Sequence, residues 1–492
     1  MVIRDKFPRP GARLRALPFV DKSFFFARAV TGTVYIAGQT NTLITPKLGQ
    51  VHVITKIVCW LQAEQLTSPG ANPSNDALDL LWIDPAGTTR ETLSIFAPDR
   101  LLGAGALQAN NDASFTWEPS MPLIVPVGWK VSVTAHSGAA TTQGASIMAF
   151  GFKMDPAEAV ANGLNVDGGV FPAGSADFGN SGAATTAPTQ ANRQWIQTGA
   201  ILNAGVTRLV AGKAGYGIEI TDILCRFSAI SGTNTSVELR KTDGTPIFRW
   251  VQTAVTGDVV HKQIKCSIFL DPLDGGSPIA AGTASSPNAV TNAYGQQLQG
   301  NQFSYGIDVS VTNLTSRGSI ILIGRYVRWN EIPNDAWWVN VQGGFATANL
   351  SPPINRPIKT APGKGRRHII QGVDFSAGKD STAPSTGQLY SLVTTAAAAP
   401  TGSISEIGQT VTLRNITPPF VLKSQNQQTN FTIDDVEMPC PDNWLIFSSF
   451  QGDPFSTPPA DGDMIDSSVT VWGRTDWSVT RGSTEADQAT GG

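Results

Sequence analysis

One short pattern occurs three times in this chain: Ser, then Ile or Val, two variable residues, then Phe, Ile or Trp, then Gly. It reads Ser146-Ile-Met-Ala-Phe-Gly151, Ser319-Ile-Ile-Leu-Ile-Gly324 and Ser468-Val-Thr-Val-Trp-Gly473. A second pattern lies upstream of each copy: Ile54-Thr-Lys-Ile-Val-Cys59-Trp-Leu-Gln-Ala63, then Ile220-Thr-Asp-Ile-Leu-Cys225-Arg-Phe-Ser-Ala229, and more loosely His368-Ile-Ile-Gln-Gly-Val-Asp-Phe375-Ser-Ala377. Two landmarks recurring in order, from 54 to 151, 220 to 324 and 368 to 473, mark three tandem copies of one module. A module of about 100 residues can bury a core of its own, so the copies are domains in a row rather than solenoid repeats.

The residues between the landmarks read as short strands and turns. The 49 Gly and 32 Pro, with only 15% charged residues, suit many turns and argue against long helices. Each module opens with an apolar pair or residue followed by a glycine: Leu43-Ile44 with Gly49, Leu209-Val210 with Gly215, Ile358 with Gly363. Alternating strands follow at Leu78–Leu80, Val237–Leu239 and Leu389–Leu392, with turns at Asp84-Pro-Ala-Gly87 and Asp243-Gly244. Pro126-Val-Gly-Trp129 and Pro441-Asp-Asn-Trp444 match as a turn that ends in an aromatic and sets the ring over a core. The expected fold is all-β: three tandem antiparallel β-sandwich, jelly-roll-like modules with an extended N-terminal arm and irregular connectors. The expected boundaries are a basic arm at 1–41, modules at 42–155, 207–330 and 357–477, connectors at 156–206 and 331–356, and a tail at 478–492.

The unrepeated segments draw attention. Arg4, Lys6, Arg9, Arg13 and Arg15 crowd the N-terminus, which Phe24, Phe25 and Phe26 close as an apolar anchor. The connectors carry Phe171, Phe178, Trp195, Trp337, Trp338 and Phe345, which a free linker has no use for. These residues are the expected partner-binding set; the connector residues are expected to pack on a neighbouring module or another subunit, and the alternative for the connectors is that they are extra edge strands of their own modules.

Chemistry is sparse. The four His stand in unrelated settings, and no zinc-peptidase or serine-hydrolase motif occurs. Gly372 to Asp380 resembles a phosphate loop but has one residue too many and no following helix. The carboxylates at Asp434-Asp435-Val-Glu437 and Asp461-Gly-Asp463-Met-Ile-Asp466 read as solvated turns, with calcium at Asp461, Asp463 and Asp466 or paired-carboxylate catalysis as lesser alternatives. Cys59, Cys225, Cys266 and Cys440 lack metal-ligand spacing; Cys59 and Cys225 share a strand position that Val373 takes in the third copy, as a core hydrophobe would. Trp60, Trp82, Trp250 and Trp329 are candidates for a sugar-stacking platform, and the run from Lys364 to His368 for phosphate contact. A net charge of −3 gives no general case for nucleic acid. No apolar run is long enough to span a membrane, and no secretory signal is visible, so the chain is expected to be soluble in the cytoplasm that makes it.

Taken together, these features resemble a structural protein of a virus particle, a tailed-bacteriophage virion in particular. The resemblance implies a non-enzymatic protein with no cofactor and no metal, assembled in the host cytoplasm and resident in the virion. It implies other virion proteins, capsid or tail subunits, as partners, and a homo-oligomer such as a trimer. Its most direct form is a capsid decoration or cement protein. The alternatives are a tail, baseplate or fibre component, or a receptor-binding sandwich that grips a glycan.

Overall fold

Short alternating runs such as Leu78-Asp79-Leu80 and Val131-Ser132-Val133 mark the first copy, whose described strands form two antiparallel sheets. In a computed structural model, described at residues 23–35, 40–45, 49–63, 77–96, 111–135, 143–157, 195–212, 216–227, 235–252, 260–270, 306–328, 332–343, 354–379, 388–395, 413–415, 420–422, 428–452 and 464–477, the strands begin with β1 (Ser23–Tyr35), β2 (Thr40–Ile44), β3 (Val51–Ala63), β4 (Ala77–Ile83) and β5 (Thr89–Phe96). They continue with β6 (Asn111–Trp117), β7 (Leu123–Val125), β8 (Lys130–Ala135) and β9 (Gln143–Met154). One sheet has the order β1–β9–β3–β6, with β7 also on β3; the other is β2–β8–β4–β5. With the short β7 set aside, these orders are 1-8-3-6 and 2-7-4-5, the jelly roll. Its core draws Val53, Ile57, Cys59 and Ile147 from the first sheet and Leu80, Trp82, Leu93 and Val133 from the second.

The first sheet order recurs next. Strands β10 (Trp195–Val210), β11 (Tyr216–Phe227), β12 (Thr235–Lys241), β13 (Pro246–Gln252), β14 (Val260–Leu270) and β15 (Ile307–Arg328) follow. Here a six-stranded sheet has the order β13–β12–β15–β11–β14 with β10 also on β15, so that β10–β15–β11–β14 repeats the first order. β10 and β15 each do the work of two strands: residues 195–201 pair with 319–325, and after register shifts residues 205–210 pair with 307–311. Every residue of β11 is buried, and Ile320, Ile321, Leu322 and Ile323 are all at 0% exposure. A sandwich strand with water on its outer side alternates instead. Both faces of this sheet are therefore covered.

The order appears a third time with β16 (Ala336–Gly343), β17 (Ile354–Lys359), β18 (Arg366–Lys379), β19 (Gln388–Thr395), β20 (Leu413–Asn415), β21 (Phe420–Leu422), β22 (Gln428–Ile433), β23 (Met438–Pro439), β24 (Leu445–Gly452) and β25 (Met464–Trp477). Its sheets run β16–β25–β18–β22 and β17–β24–β19–β20, with β23 and β21 as extra partners of β18 and β19. The chain divides into two compact units. The first holds residues 1–231, 240–245 and 256–332; the second holds 232–239, 246–255 and 333–492. Most of β12 and all of β13 thus fall in the second unit.

The recurring Gly has a steric cause. It lies within a strand, since β9, β15 and β25 all continue past it. A Cβ on Gly151 would lie 1.9 Å from the Val53 carbonyl oxygen; on Gly324, 2.2 Å from that of Glu219; on Gly473, 2.1 Å from that of Ile369. Each of these carbonyls belongs to the residue just before a β-bulge in the long partner strand, which lies between Ile54 and Lys56, Ile220 and Asp222, or Ile370 and Gly372. The bulge twists the strand toward its neighbour, and only Gly leaves room.

The bulges also correct the alignment of the third copy. Gly151, Gly324 and Gly473 pair with Ile54, Ile220 and Ile370, so the third pattern starts at 370 rather than 368. The position of Cys59 and Cys225, opposite Ile147 and Ile320, is then held by Phe375 opposite Val469, and not by Val373. All three side chains are core hydrophobes at 0–1% exposure. The turn residues follow the same logic. Gly128 (φ 78°) and Asn443 (φ 58°) take the left-handed conformation inside the two matching Pro-to-Trp turns, which close by Trp129 N–H to Pro126 O and Trp444 N–H to Pro441 O. Substituting Gly324→Ala is expected to lower stability by about 3 kcal/mol, as overpacking against backbone does. Chemical denaturation followed by tryptophan fluorescence checks this, and an unchanged midpoint contradicts it.

Candidate interaction surfaces

Within the first unit, the end strand β5 lies against β10 and β15. The outward face of the β10–β15–β11 sheet closes over that edge, and Leu224, Ile321 and Ile323 join the core formed by residues 43–154. Polar groups pin the contact. The Asp222 carboxylate accepts the backbone N–H of Ser120 (2.6 Å) and of Met121 (3.2 Å). Gln197 donates to Glu91 Oε2 (2.7 Å) and to the Ile124 carbonyl, and accepts from the Ile124 N–H. Trp82 Nε1 donates to the same Ile124 carbonyl at 2.9 Å. Burial pushes the Asp222 carboxyl up to about 6, against the backbone hydrogen bonds that pull it down.

Within the second unit the relation repeats. The end strand β13 lies across β18, β25 and β16. Trp250 Nε1 donates to Asp374 Oδ2 (2.8 Å), whose other oxygen accepts from Thr432 (2.6 Å). The Val251 N–H donates to Ser376 Oγ, and Thr470 Oγ1 donates to the Ile247 carbonyl. Phe248 stacks on Trp250 and meets the edge of Trp472. Gly372 has no Cβ because the Trp472 indole occupies that space, 2.0 Å from where a Cβ would be. Asp374, Thr470 and Trp472 occupy the register positions of Leu224, Ile321 and Ile323. One geometry therefore serves an apolar contact in one unit and a polar, aromatic one in the other.

Of the partner-binding residues expected from sequence, Arg4, Lys6, Arg9, Arg13, Arg15, Phe171, Phe178 and Phe345 lie outside the described residues. Phe24, Phe25 and Phe26 lie in β1, opposite Phe152, Gly151 and Phe150, so this stretch is an edge strand of the first sheet. Trp195 opens β10 opposite Arg325. Trp337 and Trp338 lie in β16; Trp337 is buried, with its ring edge-on to His368 at 5.4 Å and Lys359 Nζ 5.5 Å from its centroid. The edge-strand alternative thus describes residues 195–210 and 336–343. Other residues of the same strands face the docked neighbour: Gln197 as above, and Gln342, which accepts from Arg249 and donates to Glu238. Sequence reasoning missed these, together with Asp222 and Asp374. For Asp222 and Asp374 the one visible signal is an acidic residue among apolar ones within a strand pattern.

The other chemical candidates resolve as structure. Trp82 and Trp250 are at 0% exposure and offer no stacking platform; Trp60 is in β3, with its side chain outside the described set, as is all of Trp329. His368 is buried between Thr475 Oγ1 (3.1 Å) and the Thr360 carbonyl (2.7 Å), and burial lowers its pKa. His52 is pushed down to about 4 by burial and by Lys153. All four cysteines are buried, and burial pushes Cys59 up to about 12. Glu437 pairs with Arg474 at 2.6 Å. Asp461 and Asp463 lie outside the described residues. Among the described residues no cluster of His, Cys, Asp or Glu could hold a metal, and no helix is long and apolar enough to cross a membrane.

No protein-family model matches this sequence, and no curated protein matches it. Among solved structures it is similar to the STIV MCP, at 11% identity over 63% of this chain and 99% of that one, with a TM-score of 0.30. It is also similar to the major capsid protein P2 from Bacteriophage PM2, at 10% identity over 63% and 98%, with a TM-score of 0.25. Likeness at this level decides nothing about function, and the jelly-roll assignment rests on the strand order itself.

Two outcomes follow from the docking geometry. The Asp222 carboxyl ionises near 3.8 when unfolded and near 6 when folded, so the folded state holds the extra proton between these values. Stability should therefore fall by roughly 3 kcal/mol as pH rises from about 4 to about 6, and this part should be flat above that. Denaturation midpoints across this window should show the fall in the native chain and not in Asp222→Asn; parallel pH profiles contradict the assignment. Trp250→Phe, which leaves a buried Asp374 oxygen short of a donor, is expected to cost about 2 kcal/mol in unfolding of the second unit. A change within error in thermal denaturation contradicts it.

Proposed function

We propose that the chain is a non-enzymatic structural protein of a virus particle, built as three jelly rolls in series. The observation that carries this reading is the thrice-repeated strand order together with the docking of one repeat's end strand on the next repeat's sheet. Jelly rolls are recurrent units of viral coats, and of lectins and cupins as well. Serial docking favours the coat. It covers two of the outward first-sheet faces with neighbouring strands, and Trp82 and Trp250, two of the candidate sugar-stacking rings, are buried at hydrogen-bonded positions.

Within the particle, the role is capsid decoration or cement, in which many symmetric copies add contact area to a shell and multivalency supplies the stabilisation. The basic residues Arg4 to Arg15 suit an anchoring segment on other virion proteins, capsid or tail subunits. Because β1 begins at Ser23, an informative truncation removes 1–22 and spares the first sheet. Purified particles are expected to contain the full chain in many copies, and particles assembled with the 1–22 deletion are expected to lose it and to disrupt at lower temperature. Mass spectrometry of gradient-purified particles and a thermal-release assay provide the readout. Particles that lack the full chain overturn the virion role, and undiminished attachment of the truncated chain overturns the anchor.

A further inference from the structure

The same docking happens twice inside the chain, which identifies a third face built for it. In each case an end strand, β5 of the sheet β2–β8–β4–β5 or β13 of the sheet β13–β12–β15–β11–β14, is laid over the outward face of a first-sheet set, β10–β15–β11 or β16–β25–β18. The equivalent face in the first repeat is the outward side of β1–β9–β3. By register, Val58 opposite Met148 there corresponds to Leu224 opposite Ile321, and Phe150 corresponds to Ile323. Leu224, Ile321 and Ile323 are buried under the neighbouring repeat at 3%, 0% and 0% exposure. Val58, Met148 and Phe150 are half-buried. Three apolar residues on the outer side of a sandwich sheet break the alternation expected of a face turned to water. The charged rim differs too: where Asp222 is buried on two backbone amides, its counterpart Lys56 pairs with Glu118 at 2.7 Å with both side chains substantially exposed.

We propose that this face receives a second copy of the same chain, through the sheet β17–β24–β19–β20 with its end strand β20. β5 and β13 serve the two internal dockings, and β20 is the remaining member of that set. The contact is heterologous, so it propagates head to tail and closes into a ring or continues as a file according to the rotation per copy. The inference rests on the reading of the chain as serial jelly rolls, and it names the surface through which copies meet.

The test is sedimentation velocity on the full chain over a wide concentration range, with Val58→Glu and Met148→Glu as separate variants. The unmodified chain is expected to self-associate. Each variant, which puts a charge into a closed apolar contact, is expected to weaken association by about 100-fold with its thermal transition unchanged. Because a variant that unfolds would be uninformative, mixed light and isotope-labelled chains are also cross-linked. Inter-copy links from Lys56 or Lys153 to third-repeat lysines such as Lys379 and Lys423 are expected. A chain that stays monomeric at high micromolar concentration overturns the proposal, as do association unaffected by both variants and inter-copy links that avoid the third repeat. Association through this face in a chain never found in particles would instead leave the surface standing and defeat the virion role.

Discussion

Burial of both faces of a β-sheet is the condition on which the rest of this structure depends. A sandwich sheet normally has one dry side and one wet side, which limits how much apolar surface about a hundred residues can remove from water. In the sheet containing β11 and β15 the outer side is dry as well, because the preceding repeat's β5 edge lies on it. That single arrangement explains why Ile320 to Ile323 are continuously apolar and why Asp222 can be buried in the partner strand.

The docking places stringent demands on polar groups. Ser120, Met121 and Ile124 present backbone amides and a carbonyl at the contact, and each would be costly to bury without a partner. Asp222 and Gln197 supply those partners. In the second unit the same division of roles holds with different groups: Trp250, Val251 and Ile247 on the docked strand are satisfied by Asp374, Ser376 and Thr470 on the receiving face. The geometry is kept while its chemistry changes, which suits adjacent repeats that must not exchange partners.

Much of the fold was legible in the sequence because it depends on local rules. The alternation at Leu78–Leu80, the turns at Gly87 and Gly244, and the Gly128 and Asn443 pair each follow from one residue's conformational freedom or one strand's period. The offset of the third copy was not legible, because a bulge inserts a residue without changing composition, and only pairing with Gly473 reveals it. The edge strands that begin at Ser23, Trp195 and Ala336 were hidden for a related reason. They adjoin the basic N-terminal stretch or the Gly-, Ala- and Asn-rich connectors, so their aromatic residues read as anchors or contacts rather than as strands of a sheet. The docking residues were the least legible, since whether Leu224 or Asp222 faces solvent or another repeat is a property of the neighbour, not of the strand that carries them.

The central claim is that repeats dock edge on face, and amide hydrogen exchange measures this directly. Ser120 and Met121 lie in a loop, and Val251 lies on an end strand; each amide is held by a side chain of the receiving sheet. The account predicts that these three amides exchange as slowly as core strand amides, through opening of the unit that contains them. Exchange at the rate of exposed loop amides, in an otherwise protected protein, would contradict it.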